Sequence, residues 1–471
     1  MYNYDDALGI YGLGVMGQAL ALNFAGRGVK VAVCNRDDPH ELSGPAFARA
    51  CGESAIIGAV DAADLVSLLK RPRVILLTVT AGVAVDTVVS MTAPYCEQGD
   101  CIVDCGNSYY RDTEQRQRML EPRGINFIGC GVSGGRKGAL TGPCFMPGGP
   151  EGARGRILPL LEKAAARLQD GAPACAWIGP GGAGHFVKMA HNGIEYGMMQ
   201  GIAEAYHLMR RLIGMDIGAV SAAFEEWGGG ELEGYLVRAA SRILRHREQG
   251  VPLVDVISDA AGEKGTGRDA VRAAAELGVP ISVIEAAVWF RLLSGRAEER
   301  TAARSAHAHT AARPDAAVRL DDIRDALWCT HAVAVAQGMA LAAAGSSAYG
   351  WGIDRIELAR IWQAGCIIRG SMTRMAHEAL ASTPYILDAP LFREELKRRS
   401  AGWRRTVAAA LQAAQPVPAM AAALSYFDTA CAKRLPADLI QAQRDFFGGH
   451  GFERSDAPGV ITHGDWEDED I

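Results

Sequence analysis

At 471 residues the chain is too long for one hydrophobic core, and roughly 100–200 residues per domain divides it into two or three. Apolar residues make up 49% and charged residues 22%, the balance of an ordinary folded protein, and a net charge of −6 excludes a nucleic-acid footprint. No apolar run approaches the roughly 20 residues of a membrane span, and the acidic start "MYNYDDALGIYG" excludes a secretory signal, so no membrane partner and a cytoplasmic location are expected.

The first 180 residues alternate short apolar β-type runs with helix-length connections. The expected strands are "LGIY", "VKVAVCNR", "RVILLTVT", "CIVDCGN", "INFIGCGV" and "CAWIGP". Strands spaced by helices cannot pair as hairpins, so residues 1–180 should form a Rossmann-type, doubly wound α/β sheet that binds a dinucleotide. The glycine-rich "GPGGAG" at 179–184 marks its end. From 181 to 435 helical periodicity is nearly unbroken, which predicts a large all-α domain. Within it "DIGAVSAAFEEWGGG" is similar to "DRIELARIWQAGC", a candidate internal repeat. Residues 436–471 read as a short C-terminal tail: one short helix, then Gly, His and Pro, and a terminal acidic run of the kind usually solvated. The 11 cysteines have no His cluster beside them, so reduced thiols and no metal site are expected.

"GLGVMG", Gly12 to Gly17, is a complete GxGxxG placed directly after a strand and opening a helix. Gly12 permits the turn, Gly14 lets backbone approach a pyrophosphate, and Gly17 lets helix and strand pack closely, with Leu13, Val15 and Met16 between them. The helix N-terminus then offers free N–H donors to the anion. At the end of the second strand stand Asn35 and Arg36 instead of the acid usual for NAD. A guanidinium suits a 2′-phosphate, so NADP is favoured, while Asp37 keeps NAD open. "DCGNS", with Asn107, ends a later strand on the ligand-binding edge. "GVSGG", with Ser133, Gly134 and Gly135, offers adjacent N–H groups as an anion or hydroxyl cradle.

"HFVKMAHNGIEYGMMQ" places Lys188, His191, Asn192 and Glu195 at i, i+3, i+4 and i+7 of a helix, one stripe in an otherwise apolar segment. A solvated polar face and a cavity wall carrying an amine and a carboxylate for acid–base work are the two readings. "GEKGTG" puts Lys264 and Thr266 in a glycine-flanked loop suited to a phosphate, and "QRDFFGGH" holds Arg444 and His450.

Taken in order, "GLGVMG", "NR", "GNS", "GVSGG", "GAGHFVKMAHNGIEYG", "KGTG", "AGCIIRG" and "LIQAQRDFFGGH" resemble the 6-phosphogluconate dehydrogenases, NADP-dependent decarboxylating enzymes of the pentose phosphate pathway. The resemblance runs end to end. It implies that Lys188 takes the proton of the substrate 3-hydroxyl as hydride leaves C3, then acts as an acid during loss of CO2. It implies that Glu195 protonates the resulting enediol. Asn107, Ser133, Gly134, Gly135, His191 and Asn192 would hold the carboxylate and hydroxyls of a small phosphorylated sugar acid, with Asn107 also at the cofactor. Tyr196, Lys264, Thr266 and Arg291 would hold the phosphate. Arg444 and His450 would join them from the tail of a partner subunit in a homodimer.

Five positions depart from the family pattern: Thr80 for Lys, Tyr109 for Glu, Arg136 and Lys137 for two acids, and Met198 for Asp. The pair at 136–137 shifts local charge by four units towards positive. Two other readings follow: a same-chemistry relative acting on another phosphorylated or phosphonylated hydroxy acid, and a redox-silent ligand-binding protein.

Overall fold

Short β-branched runs with both faces apolar dictate the first layer. Leu8, Ile10, Val31, Val33, Leu76 and Val103 are buried on one side, and Ala32, Cys34, Ile75, Leu77 and Ile102 on the other, so helices must cover both. The computed structural model describes residues 7–307 and 317–466. Its main sheet contains β1 Ala7–Tyr11, β2 Lys30–Cys34, β3 Ile56–Gly58, β4 Val74–Leu77, β5 Cys101–Asp104, β6 Asn126–Ser133 and β7 Cys144–Gly148. The order is β3-β2-β1-β4-β5-β6-β7, with β1 to β6 parallel and β7 antiparallel to β6. The covering helices are α1 Val15–Gly26, α2 Gly44–Cys51, α3 Ala62–Ser67, α4 Val83–Thr92, α5 Tyr110–Leu120, α6 Gly135–Thr141 and α7 Glu151–Ala164. The order reverses between β1 and β4, which opens the crevice where such sheets take their ligands.

Two sequence expectations need correction. "CAWIGP" forms no strand of its own. It runs beside β7 through single bonds such as Ile178 N–H to Pro147 O at 2.8 Å, its ladder limited to a bridge at Cys175. The strands β3 and β7 were not among the expected runs: β3 has three residues, too few for a periodicity to register, and β7, "CFMPG", ends on Pro and Gly, which read as a turn.

Eleven helices follow: α8 Ala183–Arg211, α9 Ile217–Gly229, α10 Tyr235–Arg245, α11 Thr266–Leu277, α12 Ser282–Ser294, α13 Ala297–Ala306, α14 Leu320–Tyr349, α15 Arg355–Ile361, α16 Ser371–Leu380, α17 Pro390–Gln412 and α18 Pro418–Cys431. The candidate repeat has a structural counterpart. Asp216 and Asp354 each cap the next helix with a side-chain oxygen. Gly234 and Gly370 then pair antiparallel, with reciprocal bonds from Tyr235 N–H to Arg369 O at 3.1 Å and Ser371 N–H to Glu233 O at 2.7 Å. Helix α14 is long and apolar enough to cross a membrane, yet 83% of its apolar window is buried against neighbouring helices, which accounts for its composition. A two-residue hairpin, β8 Arg247–Glu248 with β9 Val251–Pro252, interrupts the helical series.

The chain clusters into two units, Met1–Ala423 and Leu424–Ile471. In the second, α19 Ala437–Gly448 precedes a hairpin that the sequence reading missed, β10 Phe452–Arg454 with β11 Ala457–Thr462. The buried Asp445 organises this unit by accepting from Gly451 N–H, His463 Nδ1, Gly464 N–H and Trp466 Nε1 at 2.7–2.9 Å. Those donors hold its carboxyl well below the usual carboxylate range, the Gly464 amide foremost. The terminal acidic residues from 467 lie outside the described residues.

Candidate active site

The nucleotide edge is made of backbone. Gly12 adopts φ +104°, and a Cβ on Gly17 would stand 2.0 Å from Gly12 O, so this turn admits no side chain at either point. Gly14 caps α1 without a side-chain bond, and a Cβ there would meet nothing within 4 Å. Free first-turn N–H groups facing open space fit the pyrophosphate of a dinucleotide. Val15 is exposed and Leu13 buried, its N–H donating to Asn35 Oδ1 at 3.2 Å. Met16 packs on the core. Asn35 in turn donates to Glu41 and to Leu42 O. Arg36 is largely exposed and paired with Asp38 at 2.7 Å and Glu41 at 3.2 Å. Such surface pairs are weak, so the guanidinium can exchange them for a 2′-phosphate.

The polar stripe is buried, which excludes the solvated-face reading. Lys188 is 6% exposed, His191 0% and Asn192 7%; Glu195 is half-buried. Helix α8 can lie this close to β6 because of glycine. A Cβ on Gly131 would be 2.5 Å from the Lys188 Cβ, and one on Gly184 would be 2.2 Å from Gly129 O. Burial lowers the Lys188 pKa from its ordinary 10.5, opposed by Glu195 and the thiols of Cys366 and Cys144. Burial raises that of Glu195, opposed by Lys188 and Arg291. The two shifts move the amine and the carboxylate towards one another, the direction that proton exchange between them and a substrate requires.

A hydrogen-bonded chain fixes the rest of the stripe. Ile367 N–H donates to Ser133 Oγ at 3.2 Å, and Ser133 lies 3.1 Å from His191 Nε2. His191 Nδ1 stands 3.2 Å from Asn192 Oδ1, whose amide donates to Thr266 Oγ1 at 3.1 Å. An amide oxygen only accepts, so the proton of the neutral His191 sits on Nδ1 and Ser133 donates to Nε2. Burial, then Lys188, keeps His191 well below 6.5 and hence uncharged. Its Nδ1 is 3.9 Å from Glu195, and Trp362 meets its ring edge-on at 5.5 Å.

The turn after β5 is held from below. Asp104, fully buried, accepts from Gly106 N–H at 2.9 Å and Ser108 Oγ at 2.5 Å. Arg116 reaches Ser108 and Gly82 O, tying this turn to the one after β4. His185, one turn before Lys188, contacts Asp104 O and Thr113, which locks α8 to the strand that presents Asn107. A cleft opens there, lined by Asn107, Tyr109, Lys188 and Thr266 among others.

The structure thus brings together Lys188, His191, Asn192, Glu195, Ser133, Thr266 and Asn107. Gly134 and Gly135 turn at φ +141° and +60° into α6. Arg291 lies 3.6 Å over the Tyr196 ring, and Lys264 is exposed in the loop before α11. Arg444, bonded to Gln441, and His450, against Phe447, belong to the Leu424–Ile471 unit. Of the five departures, Thr80, Arg136 and Lys137 are exposed. Met198 is buried, its carbonyl taking His331 Nε2 at 3.1 Å. Tyr109 lies under the Arg272 guanidinium at 5.1 Å. The sequence reading passed over Gly131, Asp104, Arg116, His185 and Ile367. Only Gly131 carried a signal, a third glycine in "GVSGG".

Fold and site together define a Rossmann-type nicotinamide-dinucleotide oxidoreductase with a buried lysine–carboxylate pair. The NAD binding domain of 6-phosphogluconate dehydrogenase matches residues 7–179, and the 6-phosphogluconate dehydrogenase C-terminal domain matches residues 184–466. The chain belongs to the 6-phosphogluconate dehydrogenase family. It is 43% identical to the decarboxylating 6-phosphogluconate dehydrogenase of Treponema pallidum, over 98% of this chain and 96% of the relative. It is 44% identical to that of Synechococcus elongatus, over 97% and 98%. The structure of Plasmodium falciparum 6-phosphogluconate dehydrogenase, described in apo form and in complexes with NADP+ and with 6-phosphogluconate, superposes with a TM-score of 0.91 at 35% identity, covering 98% of this chain and all of that one.

Proposed function

We propose that the protein oxidises and decarboxylates 6-phosphogluconate to ribulose 5-phosphate and CO2 with NADP, in the cytoplasm. One observation carries the reading: a buried lysine with lowered pKa and a carboxylate with raised pKa, two turns apart on one stripe of α8, in a chain of this family. Bound NADP, held by Gly12 to Gly17 with Asn35 and Arg36, supplies the hydride acceptor for C3. Neutral Lys188 takes the 3-hydroxyl proton as C3 is oxidised. Lys188, now charged, donates to the new ketone oxygen while the bond to the carboxylate breaks and its electrons form the enediol. Glu195 then delivers a proton to the carbon that becomes C1 of the ketose. Ser133, Gly134, Gly135, His191, Asn192 and Asn107 hold the carboxylate and hydroxyls; Tyr196, Lys264, Thr266 and Arg291 hold the phosphate.

The reading includes a homodimer in which Arg444 and His450 complete the partner's phosphate site, with residues 1–180 binding cofactor, 181–435 binding substrate and 436–471 exchanged. The exposed Leu439, Ile440, Phe447, Val460 and Ile461 of the tail support it, because a patch of that kind favours coverage by another surface. The test mixes protein with 6-phosphogluconate and NADP, then NAD, and follows reduced nicotinamide and CO2. Stoichiometric NADPH and CO2, both lost in Lys188→Ala, are expected; ligand binding without turnover would favour the redox-silent alternative. Mixing Lys188→Ala with Arg444→Ala subunits should restore activity through hybrid dimers, and no restoration rules out tail exchange. A second reading, a more anionic relative of the substrate, is favoured by Arg136 and Lys137. Both are exposed beside the Gly134–Gly135 turn, and among the described residues neither makes an ion pair. Competition with doubly charged hydroxy acids decides between the two.

A further inference from the structure

The cleft beside Lys188 is lined by a carboxylate that the chemistry above does not use. Asp269 faces it together with Asn107, Ser108, Tyr109 and Thr266. It stands on α11 at i+3 from Thr266, so the two share a face of the helix. Two arginines on the same helix are engaged with other acids, Arg268 with Glu263 at 2.6 Å and Arg272 with Glu276 at 3.1 Å. Among the described hydrogen bonds and ion pairs, the Asp269 side chain takes part in none. Burial raises its carboxyl pKa; Arg272 and Arg268 oppose the rise, while Asp112 and Glu263 add to it. A half-buried carboxylate left without a donor calls for one from a ligand.

We propose that Asp269 is a specificity-determining residue that accepts a hydrogen bond from the substrate hydroxyl lying between the reacting carbon and the phosphate, on C4 or C5. The assignment rests on the functional reading above. An ionised carboxylate only accepts, so it matches a hydroxyl and repels a second phosphate or carboxylate. Thr266, assigned to the phosphate end, and Lys188, assigned to C3, line the same cleft as Asp269, so a polyol joining them would run along the wall that carries this carboxylate. Its place in the first turn of α11 also suits the helix dipole, a structural role that would show in Tm and not in substrate discrimination.

Steady-state kinetics with NADP on 6-phosphogluconate and its 4-deoxy and 5-deoxy analogues separates these roles in wild type, Asp269→Asn and Asp269→Ala. Loss of a hydrogen bond to a charged group is expected to raise KM for 6-phosphogluconate about tenfold in Asp269→Ala. One deoxy analogue should suffer the same loss with wild type and no further loss with Asp269→Ala, while Asp269→Asn recovers part of the discrimination. An unchanged KM, or an equal penalty on all three substrates, overturns the proposal while leaving the function intact. A wild type that turns over none of them overturns the functional reading, and this assignment with it.

Discussion

The nucleotide edge and the α8 stripe are built in opposite ways. The edge is made of backbone: Gly12, Gly14 and Gly17 fall within six residues, between a strand and the helix that follows it, and Asn35 and Thr78 only tie that turn down. The stripe is made of side chains whose chemistry comes from distant segments: β6 through Gly131 and Ser133, α11 through Thr266, and the 362–367 loop through Trp362 and Ile367. A backbone site offers donors that need no tuning. A side-chain site must have its pKa values moved by burial, and burial is a long-range property.

That contrast is broken most severely at Lys188. Lys188→Met should cut turnover by roughly 10³-fold while NADP binding, measured by fluorescence, stays unchanged. Equal losses in both would mean that the two regions are not separable. Next in size, Gly131→Ala leaves every polar group in place but puts a methyl 2.5 Å from the Lys188 Cβ. A displacement of that order should lower kcat by about a hundredfold with little change in KM for NADP. Arg36→Ala tests the other region, with an expected rise of about tenfold in KM for NADP and none for NAD. An equal effect on both cofactors would remove Arg36 from the 2′-phosphate.

The smallest effect is on stability. Because burial lowers the Lys188 pKa below its unfolded value of 10.5, the unfolded chain binds the extra proton and stability is reduced below that pH. Lys188→Met should therefore raise Tm at pH 7, and its advantage should shrink as pH climbs towards 10.5. A constant difference across that range would show that desolvation of the amine is not the cause.

What the sequence determined by itself was periodic or local. The GxGxxG turn, the alternation of strand and helix through residue 180 and the long helical run could be read because each depends on neighbours within a turn or a strand. The stripe at 188, 191, 192 and 195 was equally visible as a pattern, but whether it faced water or a cavity was not. Glycines of β6 and β7 and the packing of α14 against α8 decide that, and no spacing in the sequence encodes which surfaces meet. Tertiary structure alone also decided the supports: Asp104 and Arg116 beneath the β5 turn, His185 between α8 and β5, and Asp445 at the centre of the tail hairpin. Arg116, His185 and Asp445 have partners in other segments, and Asp104 closes its own turn only once that turn is buried, because a buried polar group acquires its meaning from the donors and acceptors that folding brings to it.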